Sequence, residues 1–118
     1  MIIEEMIPKT RTSCDVLNEA REIQLKKAQD YQNTASSVKA ADYYPRGIAS
    51  IHDMMNTKML RMKSIIETMQ NSKDHDTNFE SIQDSAIDLI NYASFFVEYC
   101  RKEMDGQDPK KDLLNREV

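Results

Sequence analysis

Glycine and proline are scarce in this chain, and their scarcity is what most limits the folds open to it. The 118 residues include two glycines and three prolines. A sheet of many strands needs many tight turns, and these two residue types form a large share of such turns. The sequence therefore predicts an all-α fold, namely a helical bundle of three main helices with short extra helical turns.

The bulk composition predicts one globular domain over residues 1–118. Apolar residues make up 40% of the chain and charged residues 31%, which is ordinary for a folded domain of this length. We expect a core within about residues 13–106 and a peripheral tail at 107–118. The net charge of −4 argues against a general binder of nucleic-acid polymers, which usually carries a basic surface.

The N-terminus and the cysteines favour a cytoplasmic protein without a membrane span. The first ten residues, MIIEEMIPKT, lack the basic and apolar regions of a signal peptide, and no run of 18 apolar residues occurs. Cys14 and Cys100 lie far apart and form no CxxC motif. We interpret them as buried or inert thiols of a reducing compartment.

The first predicted helix is followed by a long connection. Ser13 or Asp15 can cap its N-terminal N–H groups, and the helix is expected to end at about Tyr31. Residues 32–47 show no sustained period and include Ser, Asn, Pro and Gly, so they predict a loop with one short helical turn. A connection of this length in a small domain is often functional.

The second and third helices are separated by a short polar segment. Ser50 is the expected start of the second helix, with Asp53 as its capping-box partner, and the helix continues to about residue 70. Residues 71–77 predict a turn, after which residue 77 or 78 caps the third helix. Gly106 is expected to terminate that helix as its C′ residue.

Three cations occupy positions where a helix of this kind usually carries apolar side chains. Lys58 falls within the apolar stripe of the second helix, Arg61 lies at its edge, and Lys27 lies on the apolar line of the first helix. A buried ammonium group without an anion is unfavourable by several kcal/mol, so these positions predict a bound anion or an ion pair. The alternative is that their long side chains extend to solvent. The stripe of the second helix is formed by Ile51, Met55, Met62, Ile65, Ile66 and Met69.

The third helix has one polar face and is apolar over much of the rest. Glu80, Asp84 and Asp88 follow one another at intervals of four, and Asn91 falls on the same face. This face either is solvated or points into a pocket between helices. The expected core stripe of the third helix consists of Ile82, Ala86, Leu89, Ala93, Phe96 and Cys100.

The segment DYYPRG offers groups suited to a nucleotide. Arg46 can bind phosphate through two N–H groups, and Tyr43 or Tyr44 can stack on a base. The alternative is a turn held by aromatic packing. Glu19 and Glu22 form an ExxE pair that could chelate a metal ion or simply lie at the surface. The phosphate-binding motif GxxxxGK[ST] and the nucleophile motif GxSxG are absent from the sequence.

Three segments resemble the nucleotide modification associated domain of bacteriophage proteins. These are KKAQDYQN, DYYPRGIASIHDMMNTKMLRMKSI and NFESIQDSAIDLINYASFF, which together lie within residues 19–101. The third is the most specific, since Glu80, Ser81, Asp84, Asp88 and the sequence LxNYA match the motif of that domain. The resemblance implies a phage protein in the bacterial host cytoplasm.

That domain is in turn similar to the all-α pyrophosphohydrolases of the MazG and dimeric dUTPase type. Those enzymes hold Mg²⁺ with ExxE on one helix and ExxD on another, so the resemblance implies Glu19, Glu22 and Asp88 as possible ligands. This chain has Ser85 where the enzymes have the Glu of ExxD, and Asp84 lies one residue earlier. Fewer carboxylates and facing cations would weaken Mg²⁺ binding but would favour direct phosphate binding.

Three functional hypotheses follow. In the first, the protein binds a nucleotide, whether linear, cyclic or modified, and sequesters it from the host or passes it to DNA modification, without turnover or a cofactor. In the second, it is a Mg²⁺-dependent nucleoside triphosphate pyrophosphohydrolase with Glu19, Glu22, Asp84 and Asp88 at the metal. In the third, it is a structural module in which Lys58 and Asp88 form a buried ion pair. The first hypothesis assigns phosphate, base and ribose contacts to Lys27, Tyr31, Tyr43, Tyr44, Arg46, Lys58, Arg61, Asp84, Asp88 and Asn91.

The chain is also expected to associate with itself. Three helices leave apolar surface on the third helix uncovered, which predicts a homo-oligomer. The resemblance implies that a pocket would lie between subunits.

Overall fold

The computed structural model describes residues 12–31, 35–71 and 79–110, and these form helices joined by turns. Helix α1 spans Thr12–Tyr31, a short 3-10 helix spans Ala40–Tyr43, α2 spans Ile48–Asn71 and α3 spans Phe79–Cys100. No β-strand occurs in these ranges, so the predicted all-α bundle of three main helices is confirmed. The predicted turn at 71–77 lies outside the described residues from residue 72 onward. None of the described helices has both the length and the hydrophobicity of a membrane span.

Helix α3 is the central element, and both other long helices run antiparallel to it. On the α2 side, Gly47 lies against the ring of Tyr99, and Lys58 pairs with Asp88. Residue numbers therefore rise along α2 where they fall along α3, so the two helices are antiparallel. On the α1 side, Gln24 bonds to Asn91 and Lys27, further along α1, approaches Asp88, earlier in α3, so these two helices are antiparallel as well. Helices α1 and α2 are therefore parallel to each other, with α3 between them.

The hydrophobic core lies at one end of the bundle. Ile51 and Tyr99 are completely enclosed, and Ala41 and Met104 are buried beside them. The core thus joins the 3-10 helix, the first turns of α2, the end of α3 and the turn that follows α3. The side chains packed around it are Ala40, Tyr44, Ile48, Met55, Phe95 and Phe96.

Backbone and amide hydrogen bonds close this end of the molecule. The N–H of Ala41 donates to the carbonyl of Asp105 at 2.9 Å. The side-chain amide of Gln107 donates to the Tyr99 carbonyl at 2.9 Å, and its oxygen accepts from the N–H of Met104 at 3.1 Å. The segment expected to be a peripheral tail therefore begins with a residue bound to the core.

Helix α2 begins two residues earlier than its capping residues predict. Gly47 has a φ of 62°, a conformation that lets the chain turn sharply into the helix at Ile48. Ser50 consequently lies in the first turn, where its hydroxyl accepts a hydrogen bond from the N–H of Arg46 at 2.9 Å. The predicted Ser50–Asp53 capping box is therefore wrong, and the carboxylate of Asp53 pairs instead with the Arg46 guanidinium.

Helix α3 ends at Cys100, and the prediction that it continues to Gly106 is wrong. The N–H of Glu103 donates to the carbonyl of Glu98 at 3.1 Å, and that of Lys102 donates to Tyr99 at 3.0 Å. These two bonds, with Lys102 at a φ of 60°, form a Schellman ending in which lysine occupies the usual glycine position. Gly106 also has a positive φ, of 80°, but it lies in the next turn against the Lys39 side chain.

The orientation of α3 differs from the one its apolar stripe predicts. Ser85, Asn91 and Tyr99 are its buried residues, so the helix turns a partly polar side inward. The expected core stripe is only half-buried along Ile82, Ala86, Leu89, Ala93 and Phe96, and Cys100 is exposed. In α2 the stripe is better confirmed, because Ile51 is buried and most of the others are half-buried, although Ile66 is 45% exposed. Cys14 is half-buried, and both cysteines are free thiols.

Candidate functional site

Asp88 of α3 brings together lysines from the other two helices. Its Oδ2 lies 3.1 Å from Nζ of Lys58, and its Oδ1 lies 3.9 Å from Nζ of Lys27. The side chain of Lys58 is 18% exposed, that of Asp88 is 29% exposed and that of Lys27 is 58% exposed. Lys58 thus satisfies the prediction of an anion beside a cation in the apolar stripe, whereas Lys27 extends partly into solvent.

Helical rotation places the other predicted groups on the same side of the bundle. Successive side chains of an α-helix are rotated by about 100° around its axis. The Arg61 side chain is therefore rotated about 80° from that of the buried Ile51 in α2, toward α1. In α3, the Asp84 side chain is rotated about 60° from that of the buried Tyr99, also toward α1. Both side chains are exposed and lie one turn beyond the Lys58–Asp88 pair. We call this region the polar groove, formed by Gln24, Lys27, Lys58, Arg61, Asp84, Asp88 and Asn91.

A side-chain amide network continues the polar groove toward the core. The Nε2 of Gln24 donates to Oδ1 of Asn91 at 3.2 Å and to the hydroxyl of Ser94 at 3.0 Å. The same Ser94 hydroxyl donates to the Asn91 carbonyl at 2.6 Å. Sequence reasoning selected Asn91 but missed Gln24. Its position one turn before Lys27, on the same face of α1, was the available signal.

The ionisable groups of the polar groove carry a net positive charge. Lys27, Lys58 and Arg61 supply three positive charges, whereas Asp84 and Asp88 supply two negative ones. Asp88 lies between the two lysines and holds their ammonium groups near each other, where they would otherwise repel. The amides beside them can donate and accept hydrogen bonds, which suits a ligand with both phosphate and polar ring groups.

The predicted aromatic and arginine groups of DYYPRG lie elsewhere. Gly47 immediately precedes α2 and lies eleven residues before Lys58, which is about 16 Å along the helix axis. Arg46 is paired with Asp53, and Tyr43 is 50% exposed. Within one chain, these residues therefore do not belong to the polar groove.

Tyr44 lines a separate, acidic cleft of about 240 Å³ beside the core. Its Asp42 carboxylate accepts a hydrogen bond from the N–H of Lys39 at 2.8 Å, and that of Asp108 accepts one from Lys110 at 2.9 Å. Both carboxylates thus act within local turns. The lining is completed by Ala41, Pro45, Tyr99 and Gly106.

The carboxylates of the predicted metal site do not converge within one chain. Glu19 and Glu22 are exposed. Helical rotation places Glu22 about 160° from Gln24, on the side of α1 that faces away from α3, and Glu19 about 100° from the buried Ala20 and two turns before Lys27. Across the described ranges, no three His, Cys, Asp or Glu side chains are grouped closely enough to hold a metal ion. Tyr31 ends α1, but its side chain lies outside what the structure describes.

Comparison with protein-family models, with curated proteins and with solved structures finds no match for this chain. The relation to the nucleotide modification associated domain and to the MazG-type enzymes therefore stays a prediction from the quoted motifs.

Proposed function

We propose that this chain is a nucleotide-binding protein that holds the phosphates of its ligand in the polar groove and acts without turnover. The observation that carries the proposal is the convergence of Lys27 and Lys58, from two helices, on the single carboxylate of Asp88. The motif resemblance adds the expectation of a phage protein that sequesters the nucleotide in the host cytoplasm.

The charges of the groove favour a phosphate. Two ammonium groups beside one carboxylate leave one positive charge uncompensated. One turn away, the guanidinium of Arg61 is balanced by the carboxylate of Asp84. A phosphate placed between the lysines would form charge-assisted hydrogen bonds, which are roughly twice as strong as neutral ones. The Asp88 carboxylate would keep both lysines in position without having to contact the ligand.

The amides explain how the ligand could be a nucleotide instead of a simple phosphate. Asn91 and Gln24 lie next to the lysine pair and offer both donors and acceptors to a base or ribose. Stacking by Tyr31 at the end of α1, and by Tyr43 or Tyr44, belongs to the same proposal. The latter two would have to come from a second copy of the chain, because they lie far from the groove of their own chain.

Binding without turnover is favoured over pyrophosphohydrolysis by the carboxylates. Hydrolysis of this type needs several carboxylates around Mg²⁺. Glu19 and Glu22 do not converge with Asp88 in the same chain, and Lys27 and Lys58 compete for that carboxylate.

A structural role is the second candidate, and the Lys58–Asp88 distance of 3.1 Å favours it. A half-buried ion pair needs no ligand to be satisfied. The two candidates differ in what the more exposed Lys27 does, because an ion pair between α2 and α3 does not require it.

The test is a titration with linear and cyclic nucleotides, with and without Mg²⁺, followed by analysis of the ligand released on heat denaturation. Lys27→Met and Lys58→Met are each expected to weaken binding by about tenfold or more, since each removes a charge-assisted hydrogen bond. Lys26→Met is the matched control, because Lys26 is exposed on the other face of α1. Intact ligand bound without Mg²⁺ supports the proposal; release of pyrophosphate with Mg²⁺ supports the hydrolase, and no binding supports the structural role.

A further inference from the structure

We infer that the side-chain amides of Gln24 and Asn91 bind the hydroxyl groups of a ribose, so that the polar groove selects ribonucleotides over 2′-deoxyribonucleotides. This selectivity rests on the proposed function, because the sugar is placed beside a phosphate that the lysines hold. The two amides form a connected pair across α1 and α3, in which Nε2 of Gln24 lies 3.2 Å from Oδ1 of Asn91.

The hydroxyl of Ser94 fixes the direction of hydrogen bonding in this pair. A serine hydroxyl has one hydrogen to donate, and here it lies 2.6 Å from the backbone carbonyl oxygen of Asn91, which can only accept. The hydroxyl oxygen must therefore accept from Gln24, whose NH₂ group lies 3.0 Å away. The same NH₂ group donates to Oδ1 of Asn91, so both of its hydrogens are used.

One acceptor and one donor of the pair are left over. Oε1 of Gln24 and Nδ2 of Asn91 have no hydrogen-bond partner within the described part of the chain. Asn91 is only 9% exposed, yet every enclosed side-chain nitrogen or oxygen of the described residues has a partner, so its unpaired nitrogen must be open to solvent. A nearly buried amide with a free donor is a place where a ligand oxygen can replace a water molecule.

The distance from the lysine pair favours the sugar over the base as the group that the amides contact. Gln24 lies three residues before Lys27 on α1, which is about 4.5 Å along the helix axis. Asn91 lies three residues after Asp88 on the antiparallel α3, so both amides are displaced in the same direction from the phosphate position. The sugar joins the phosphate to the base in a nucleotide, and a group this near to the phosphate therefore meets the sugar first.

The free donor and acceptor are complementary to ribose hydroxyls. One hydroxyl can accept from Nδ2 of Asn91 while its neighbour donates to Oε1 of Gln24, because a hydroxyl does both. Where the 3′-oxygen is esterified, the 2′-hydroxyl alone can form both bonds. A deoxyribose lacks the 2′-hydroxyl and leaves at least one of the two amide groups without a partner.

The test is calorimetric titration of the full chain with matched ribo- and 2′-deoxyribonucleotides. The probes are the triphosphates of adenosine, guanosine, cytidine and uridine and the 3′,5′-linked cyclic dinucleotides of adenine and guanine, each beside its 2′-deoxy analogue. The wild type is expected to bind the ribose form about tenfold more tightly or better, which is the usual effect of leaving a nearly buried amide unpaired.

Two variants separate recognition of the sugar from binding of the phosphate. Gln24→Met removes the free acceptor and the bonds that orient Asn91, so it should abolish most of the preference for ribose. Lys27→Met should weaken both forms by the same factor and preserve the preference. Gln29→Met is the matched control, because Gln29 is exposed on α1 and is rotated about 140° from Gln24.

Ser94→Ala tests the positioning role of the hydroxyl. Without it, the amide of Gln24 can face either way, so the preference for ribose should fall. Ser94 is exposed, and the helix content measured by circular dichroism should therefore stay unchanged. This variant decides the matter if Gln24→Met does not fold.

The outcomes distinguish failure of this selectivity from failure of the proposed function. Equal affinities of the wild type for ribose and deoxyribose forms, or a preference for ribose that persists in Gln24→Met, would overturn the inference and leave nucleotide binding intact. A preference among bases that Gln24→Met abolishes, with none among sugars, would overturn it by assigning the amides to the base. Absence of binding for every nucleotide would overturn both.

Discussion

Lys58 of α2 reaches across to α3 and pairs with Asp88 at 3.1 Å, while Lys27 of α1 approaches the other oxygen of the same carboxylate at 3.9 Å. The single carboxylate thus connects all three helices. Removing it affects two cations, whereas removing one lysine leaves the carboxylate with a partner.

The first prediction follows from this asymmetry. Asp88→Asn is expected to lower the free energy of unfolding by about 1–2 kcal/mol, because it leaves Lys58 half-buried without an anion. Lys58→Met in the Asp88→Asn background should recover much of that loss, since no buried ammonium group then remains. Chemical denaturation of both single variants and the double variant measures the coupling. Additive effects of the two substitutions would contradict the prediction.

The second prediction concerns Gly47 at the start of α2. Its φ of 62° is strained for other residues, and a Cβ there would lie 2.9 Å from the Tyr99 hydroxyl oxygen. Gly47→Ala is therefore expected to destabilise the fold by about 2 kcal/mol, combining backbone strain with the close contact. In a Tyr99→Phe background the cost of Gly47→Ala should be smaller, because the nearest atom is gone. Equal costs in the two backgrounds, measured by thermal unfolding, would show that the contact with the Tyr99 hydroxyl does not contribute.

The third prediction concerns the end of α3. Lys102 adopts a φ of 60° at the position that usually holds glycine in this type of helix ending. Lys102→Gly should stabilise the chain by about 0.5–1 kcal/mol, because glycine adopts this conformation without steric cost. Lys102→Ala is the control for loss of the side chain, and it should give no such gain. Thermal unfolding of the two variants beside the wild type distinguishes backbone relief from a side-chain effect.

The helices were predictable from the sequence because their signals are local. The scarcity of glycine and proline and the periodic apolar residues sufficed for three helices, and the cation within the apolar stripe of α2 was enough to predict a partner for Lys58. The residues at which the helices begin and end were less predictable. The sequence has a polar cap candidate at Ser50 and a glycine at 106, but Gly47 and Lys102 determine the actual ends through backbone conformations that no side-chain pattern encodes.

The orientation of α3 and the composition of the site depend on long-range packing. Tyr99 is buried against Gly47, a contact between residues that are far apart in the chain, and with Tyr99 inside the core the expected core stripe is left only half-buried. Lys27, Lys58 and Asp88 could be predicted as partners because each is anomalous on its own helix. The sequence could not exclude Arg46 from that group. Only the structure shows that Arg46 pairs with Asp53 and lies away from Lys58.

The last prediction is a pH dependence at the C-terminal end of α3. Partial burial raises the pKa of the Glu98 carboxyl above its ordinary value, and the negative charge of Glu103 raises it further. The Schellman ending brings Glu103 close to Glu98, because the backbone N–H of Glu103 donates to the Glu98 carbonyl. The folded chain therefore binds this proton more tightly than the unfolded chain does.

The sign of the effect follows from that difference. The contribution of Glu98 to the free energy of unfolding falls as the pH rises from the ordinary carboxyl pKa through the raised value, and it stays low at neutral pH. Glu98→Gln should therefore raise the Tm at pH 7 and make no difference at a pH below the ordinary carboxyl pKa, where the carboxyl is neutral in both states. Glu103→Gln removes the smaller of the two causes, so it should give a smaller gain in the same direction. A gain for Glu98→Gln that is equally large in acid would assign the effect to packing of the amide instead of to the charge.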